Sequence, residues 1–264
     1  MTGRVLSIVV VLGWSVPVLA QPASQTSESS DRFQLACAPM SPPALPNQAI
    51  RVAGSSQRGR LLFGPNEALV INAGAKQGIK QGQEFYVRRV VNDRFTEWTL
   101  GYQPISIHTS GSVRIVDVQP DAAVAEVTHA CDGVLYGDYL EPYVEAVPPS
   151  DAGVAGEPDF AHPGHIMLGD DKQQTGAAGS VMVVDQGTEQ GLRAGQTVTI
   201  YRATPEERDY MTYYGPKLEA RGPSMRVGTA RILSVQSQTA LVRIESSHEA
   251  VYIGDFVAVH RVTQ

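Results

Sequence analysis

Apolar residues alternate with polar or oppositely facing neighbours in short runs along the chain. Leu69 and Ile71, Phe85 and Val87, Val113 and Ile115, then Ala123, Ala125 and Val127, and finally Tyr139 keep a period of two. The same spacing returns at Val184, Val198, Ile200, Ile232, Ala240, Val242, Ile244 and Phe256. A period of two lays one face of a pleated strand against a core. No stretch holds a 3.6-residue apolar period long enough for a helix, so the pattern predicts an all-β protein.

These strands belong to an internal repeat. Sliding the chain along itself brings Gly74, Gln77, Gly78, Gly82, Gln83 and Arg89 onto Gly187, Gln190, Gly191, Gly195, Gln196 and Arg202 at one constant offset. Downstream, Gly111, Arg114, Ile115, Val118, Ala123, Val134, Gly137 and Asp138 fall on Gly228, Arg231, Ile232, Val235, Ala240, Val251, Gly254 and Asp255. The two registers differ by a single insertion in the second copy. Gly74, Gly78 and Gly82, with Gly187, Gly191 and Gly195, are expected to supply positive φ for a compact turn, with Asn72 or Asp185 bonding the backbone ahead of it. Gly137-Asp138 and Gly254-Asp255 form a second tight turn before a terminal strand. Five or six short strands per copy predict two tandem small β-barrel or sandwich modules, since closure removes exposed strand edges. The shared positions of Arg89 with Asp138 and of Arg202 with Asp255 suggest an ion pair repeated in each module.

Composition sets the organisation around the repeat. Residues 21–49 are rich in Ser, Thr, Pro, Gln and Ala, too poor in apolar anchors to offset their ordering entropy, and read as a disordered tether. A second break over 147–163, with Pro148, Pro149, Gly153, Gly156, Pro158 and Pro163, is a linker, leaving modules at 50–146 and 164–264. Residues 1–20 carry Arg4, an apolar stretch from Val5 to Val18 and Val18-Leu19-Ala20, the pattern of a signal peptide cleaved after Ala20. The run falls short of the roughly 20 apolar residues of a bilayer span, so no transmembrane anchor is expected after cleavage. The protein is therefore expected to be periplasmic or secreted. Cys37 and Cys131 then enter an oxidising compartment, either as a disulfide pinning the tether to the first module or as a buried Cys131 with a free Cys37. The net charge of −6 becomes −7 once Arg4 is removed, which argues against nucleic acid as a partner.

Each module reads as a strand, then Gly-x-x-x-Gly-[Ile/Leu]-x-x-Gly-Gln, a strand ending in Arg, a Gly-initiated strand pair and Gly-Asp-[Tyr/Phe]-[Leu/Val]. This order resembles the small β-barrel modules of exported bacterial envelope proteins, in particular the C-terminal domain of flagellar assembly protein T. The resemblance spans both copies and implies an assembly or adaptor role in the cell envelope, with other envelope proteins as partners. A LysM-type Tyr-x-Val-x-x-Gly-Asp signature is missing, so peptidoglycan binding has no motif behind it.

Candidate chemistry is sparse. His162-Pro-Gly-His165 lies near Asp159, Asp170 and Asp171, but a zinc site needs three or four converging ligands, and Pro and Gly set these histidines in a linker. His129-Ala-Cys131-Asp132 has no counterpart in the second copy. The sequence has no Gly-x-Ser-x-Gly elbow, phosphate-binding loop or dinucleotide fingerprint. Neither catalytic residue, metal nor cofactor is expected, and the chain reads as a non-enzyme. What the copies do not share is the place for recognition. The segments from Val90 to Ser110, with Phe95, Trp98 and Tyr102, and from Ala203 to Val227, with Tyr210, Met211, Tyr213 and Tyr214, carry aromatic rings. Those rings either anchor a partner protein or cover an open barrel end. Carbohydrate or peptidoglycan binding through the same loops is the alternative function.

Overall fold

The computed structural model describes residues 32–92, 94–147, 149, 156–203 and 224–261. The expected leader, the first part of the tether, the middle of the linker and the segment holding Tyr210, Tyr213 and Tyr214 lie outside these described residues, as do the side chains of Phe95 and Trp98.

The first half contains β1 (Val52–Gly54), β2 (Leu62–Phe63), β3 (Ala68–Ile71), β4 (Glu84–Val91), β5 (Ser106–Val118), β6 (Ala123–Ala130), β7 (Val134–Leu135) and β8 (Tyr139–Pro142). Six of them form one sheet in the order β1-β3-β6-β5-β4-β8. The sheet closes on itself: Arg51 bridges Tyr139, and the Val52 N–H donates to the Asp138 carbonyl at 2.8 Å. Closure pairs the edge strands that an open sheet would leave available for aggregation. The alternating residues of the sequence pattern fill its interior, with Leu69, Ile71, Phe85, Val87, Val113, Ile115, Ala125 and Val127 all buried in one cluster. Each large apolar side chain buried there contributes about 1.5–3 kcal/mol.

The second half repeats this plan strand for strand. After a short β9 (Glu157–Pro158) come β10 (Gly164–Leu168), β11 (Thr175–Gly176), β12 (Val181–Val184), β13 (Thr197–Ala203), β14 (Ser224–Val235), β15 (Ala240–Ser247), β16 (Val251–Tyr252) and β17 (Phe256–Arg261). Their order is β10-β12-β15-β14-β13-β17, and β17 pairs back to β10 to close the barrel. A two-stranded ribbon, β2 with β7 and β11 with β16, accompanies each barrel. Even the bulges coincide, between Val87 and Arg88 in β4 and between Ile200 and Tyr201 in β13.

The repeated glycines play two different roles. Gly78 and Gly191 adopt φ of 81° and 77°, the left-handed region that closes the turn. Gly82, Gly137, Gly195 and Gly254 also have positive φ. Gly74 and Gly187 do not, contrary to the sequence expectation: their φ values are −141° and −140°. They are glycine because a Cβ at Gly74 would lie 2.2 Å from the Gln119 carbonyl oxygen, and one at Gly187 would lie 2.4 Å from that of Gln236. The matched glutamines close the same turns, with Gln77 Oε1 accepting from the Gly74 N–H and Gln190 Oε1 from the Gly187 N–H, both at 2.8 Å.

Three segments depart from the sequence reading. Residues 32–49, assigned by composition to an unordered tether, are held in place. Cys37 is bonded to Cys131, Met40 and Ile107 exchange backbone hydrogen bonds of 3.0 and 2.9 Å, and Ala38 and Ser41 are buried. The connection between β4 and β5 forms a helix over Arg94–Leu100, too short to show a helical period. The end of the linker is attached to the second barrel, where β9 pairs with β17 and the Phe160 ring meets Tyr201 edge-on at 5.2 Å.

Candidate functional site

Each barrel locks its last turn with a buried carboxylate. Asp255 accepts two hydrogen bonds from Arg202, Nε to Oδ1 at 2.6 Å and Nη2 to Oδ2 at 2.7 Å, and a third from the Tyr252 N–H at 2.8 Å. Asp138 accepts from the Leu135 N–H and the Ser110 hydroxyl, both at 2.9 Å, and lies 3.3 Å from Arg89 Nε. Burial pushes the Asp138 carboxyl up, and the Leu135 N–H, the Arg89 charge and the Ser110 hydroxyl offset part of that rise. Gly137-Asp138 and Gly254-Asp255 are thus paired structural turns, and both aspartates are buried.

The first unshared segment and the tail meet the second barrel. The helix Arg94–Leu100 belongs to the first barrel, yet Leu100 is buried in the apolar cluster of the second, beside Ala38 and with Leu35 packed against it. Thr99 sits over Gly254, its Cγ2 only 2.8 Å from where a Cβ would stand. The tail completes the joint, as the Thr239 hydroxyl donates to the Ser41 carbonyl at 3.2 Å.

A histidine occupies the polar part of this joint. His108 on β5 is 2% exposed. Its Nδ1 lies 2.7 Å from Asp170 Oδ1 of the second barrel, and its Nε2 lies 3.0 Å from Asp132 Oδ2 of the first, close enough for an ion pair though not aligned as a hydrogen bond. Burial opposes the charged ring, but the hydrogen bond and charge of Asp170, followed by the nearby Asp132 carboxylate, outweigh it and push the pKa up to about 9. The imidazolium therefore binds a carboxylate from each barrel at neutral pH. Sequence reasoning missed this trio: the residue equivalent to His108 is Met225, opposite Arg202 as His108 is opposite Arg89, so the repeat gave no signal.

Between the barrels opens a cleft of about 510 Å³ lined from one side by Pro42, Pro43 and Tyr102 and from the other by Met167, Asp185 and Glu189. Tyr102, from the first aromatic segment, is partly exposed here. Burial, with a smaller push from the Asp185 charge, raises its hydroxyl to about 12, so the phenol is neutral at physiological pH. The linker histidines do not converge. His162 faces Asp159 at 3.0 Å and His165 faces Asp185 at 2.8 Å, and among the described residues no three potential metal ligands meet. What the arrangement offers is shape and hydrogen bonding at the joint.

Fold and joint together define a tandem of two closed, six-stranded barrels coupled through a composite apolar and ionic interface. Residues 66–140, which span β3 to the start of β8 in the first barrel, match the family model of the flagellar assembly protein T, C-terminal domain. A comparison with curated proteins gives no match. No helix among the described residues is long and apolar enough to cross a membrane.

Proposed function

We propose that this chain is a non-catalytic, exported component of the cell envelope that acts in flagellar assembly by binding other envelope or flagellar proteins. The match of residues 66–140 to the assembly-protein domain carries the reading. The second barrel, built on the same strand order, supports it by presenting a second module of the same kind. In this reading residues 1–20 are a leader cleaved after Ala20, and 50–146 and 164–264 are the two modules. In this reading the joint made by Leu100, His108 and Asp170 couples the two modules so that both contribute to binding. Tyr102 in the cleft and Tyr210, Tyr213 and Tyr214 in the second aromatic segment are the proposed recognition anchors, since aromatic side chains bring large contact area at low entropic cost.

The test is genetic and quantitative. Deleting the gene in its native host should reduce the number of flagella per cell or leave them non-functional, and the full chain supplied in trans should restore both counts and swimming. Normal flagellation and swimming in the deletion strain would remove the proposal.

A further inference from the structure

The second barrel's wall of the inter-barrel cleft has a counterpart in the first barrel, and the two differ in charge. Each barrel sets a short turn, Ala75–Gln77 or Thr188–Gln190, against the turn between its two long strands, β5 and β6 or β14 and β15. The backbone bonds coincide. The Ala75 and Lys76 N–H groups donate to the Gln119 and Pro120 carbonyls at 2.9 and 3.0 Å, and those of Thr188 and Glu189 donate to Gln236 and Ser237 at 2.8 and 3.0 Å. Glu189 therefore stands where Lys76 stands, and Gln238 where Asp121 stands. Asp185 takes the place of Asn72, since the Oδ1 of each accepts a backbone N–H at 2.6 Å, from His165 and from Arg51.

In the first barrel the two turns are tied by Lys76 Nζ, 2.8 Å from Asp121 Oδ2, and the three positions carry no net charge. In the second barrel the same positions hold two carboxylates and an amide. Asp185 is met by His165, whose Nδ1 lies 2.8 Å from Oδ2. Glu189 is exposed and has no hydrogen bond or ion pair among the described residues. Arg261, which reaches the Gln190 carbonyl at 2.9 Å, is itself 3.1 Å from Asp159. Asp185, Glu189 and Gln238 line the cleft together with Tyr102, Pro42 and Met167, and none of the described residues lining it is Lys, Arg or His. Its volume of about 510 Å³ falls in the range of ligand sites, which favour such junctions between domains. Apolar walls beside carboxylates without a basic partner suit a side chain with an apolar stem and a cationic head, as Lys and Arg have. The partly exposed Tyr102 ring adds an aromatic surface that attracts a cation.

We infer that this cleft receives a lysine or arginine side chain from an extended segment of a partner protein, its head group set against Asp185 and Glu189 and its stem against Tyr102 and Pro42. The partner supplies from outside the cation that Lys76 supplies within the first barrel. The inference rests on the reading of the cleft as a recognition surface and gives the chemistry of what is recognised there.

The experiment titrates the isotope-labelled chain from Gln21 to Gln264 with the acetylated, amidated peptide Ala-Ala-Lys-Ala-Ala and with counterparts carrying Arg, Gln or Glu at the centre. The backbone amide signals of Gln103, Glu189 and Gln238 are followed by NMR. The Lys and Arg peptides should shift these signals saturably, with a Kd that rises as salt is added, and the Gln and Glu peptides should bind about tenfold more weakly or worse. Glu189→Gln should raise the Kd of the Lys peptide about fivefold or more. Gln238→Lys rebuilds the tie between Lys76 and Asp121 with the two positions exchanged, and should weaken the Lys peptide at least as much. Both positions are exposed, so thermal melting of each variant should match the unaltered chain. Equal binding of the Lys and Gln peptides, saturable shifts from none of them, or variants that bind like the unaltered chain would overturn the inference. So would chitotriose shifting the same signals where the Lys peptide does not. Failure here leaves the deletion phenotype of the flagellar reading untouched, whereas normal flagellation in the deletion strain removes that reading whatever the peptides do.

Discussion

His108 gives the sharpest physical prediction. Its folded pKa of about 9 stands above the ordinary 6.5, so the folded protein holds a proton that the unfolded chain releases. The sign follows directly: a raised pKa contributes stability that is complete below pH 6.5 and is lost as pH climbs towards 9. With about 1.36 kcal/mol per pKa unit, the contribution at its fullest is about 3 kcal/mol, an upper figure because Asp132 and Asp170 are themselves partly solvated. The groups around the ring are Asp170 from the second barrel and Asp132 from the first, with Arg89 a further 3.6 Å from Asp132. Two assays read the effect. Titration of the His108 ring by NMR gives its pKa in the folded protein, and urea unfolding across pH 6 to 9.5 compares the chain with His108→Gln, which cannot titrate. The unaltered chain should lose up to about 3 kcal/mol more than the variant across that window, and Asp170→Asn should bring the ring's pKa down. A ring that titrates near 6.5, or equal losses in both proteins, would refute the reasoning.

Other expectations follow from the same structure. Arg202→Ala leaves the buried Asp255 carboxylate without its two-pronged partner and should cost about 3–5 kcal/mol in denaturant unfolding; a loss below about 1 kcal/mol would show the pair to be solvated. Gly74→Ala should destabilise by about 2 kcal/mol or more, because its Cβ meets backbone, whereas Gly78→Ala has open space and only the positive φ to overcome, about 1 kcal/mol. Reducing the Cys37–Cys131 bond opens a loop of sequence separation 94 and should lower stability by about 4.7 kcal/mol in the chain-entropy account. Sedimentation with purified sacculi should leave the chain in the supernatant, and cosedimentation would favour the carbohydrate-binding alternative.

What could be read from sequence was whatever a barrel needs locally. Alternating residues such as Ala123, Ala125 and Val127 face the core because a strand's side chains alternate, and the matched Arg89 and Arg202 do meet Asp138 and Asp255. What escaped depends on long-range contact. Gly74 looks like a turn glycine beside Gly78, and only the approach of Gln119 from the neighbouring β5–β6 turn shows why a Cβ is excluded there. Residues 32–49 have the composition of a tether, yet the bond to Cys131 and the bridge to Ile107 order them. The Arg94–Leu100 helix spans two turns, which leaves no room for a period to register. His108 and Asp170 lie 62 residues apart with no counterpart in the other copy, so nothing in the repeat drew them together. The aromatic segments were visible as unshared, but Tyr102 was not legible as one wall of a cleft between barrels, because that cleft exists only once the two modules dock.

The proposed role has this tandem of barrels bind flagellar or envelope assembly proteins outside the cytoplasm. Crosslinking in intact cells of the native host, through a photoreactive residue placed at Tyr213 and another at Tyr102, followed by identification of the captured proteins, tests it most directly. Flagellar or envelope assembly proteins captured from both positions are the predicted result, and the contradicting result is capture of cytoplasmic proteins alone or of nothing from either position.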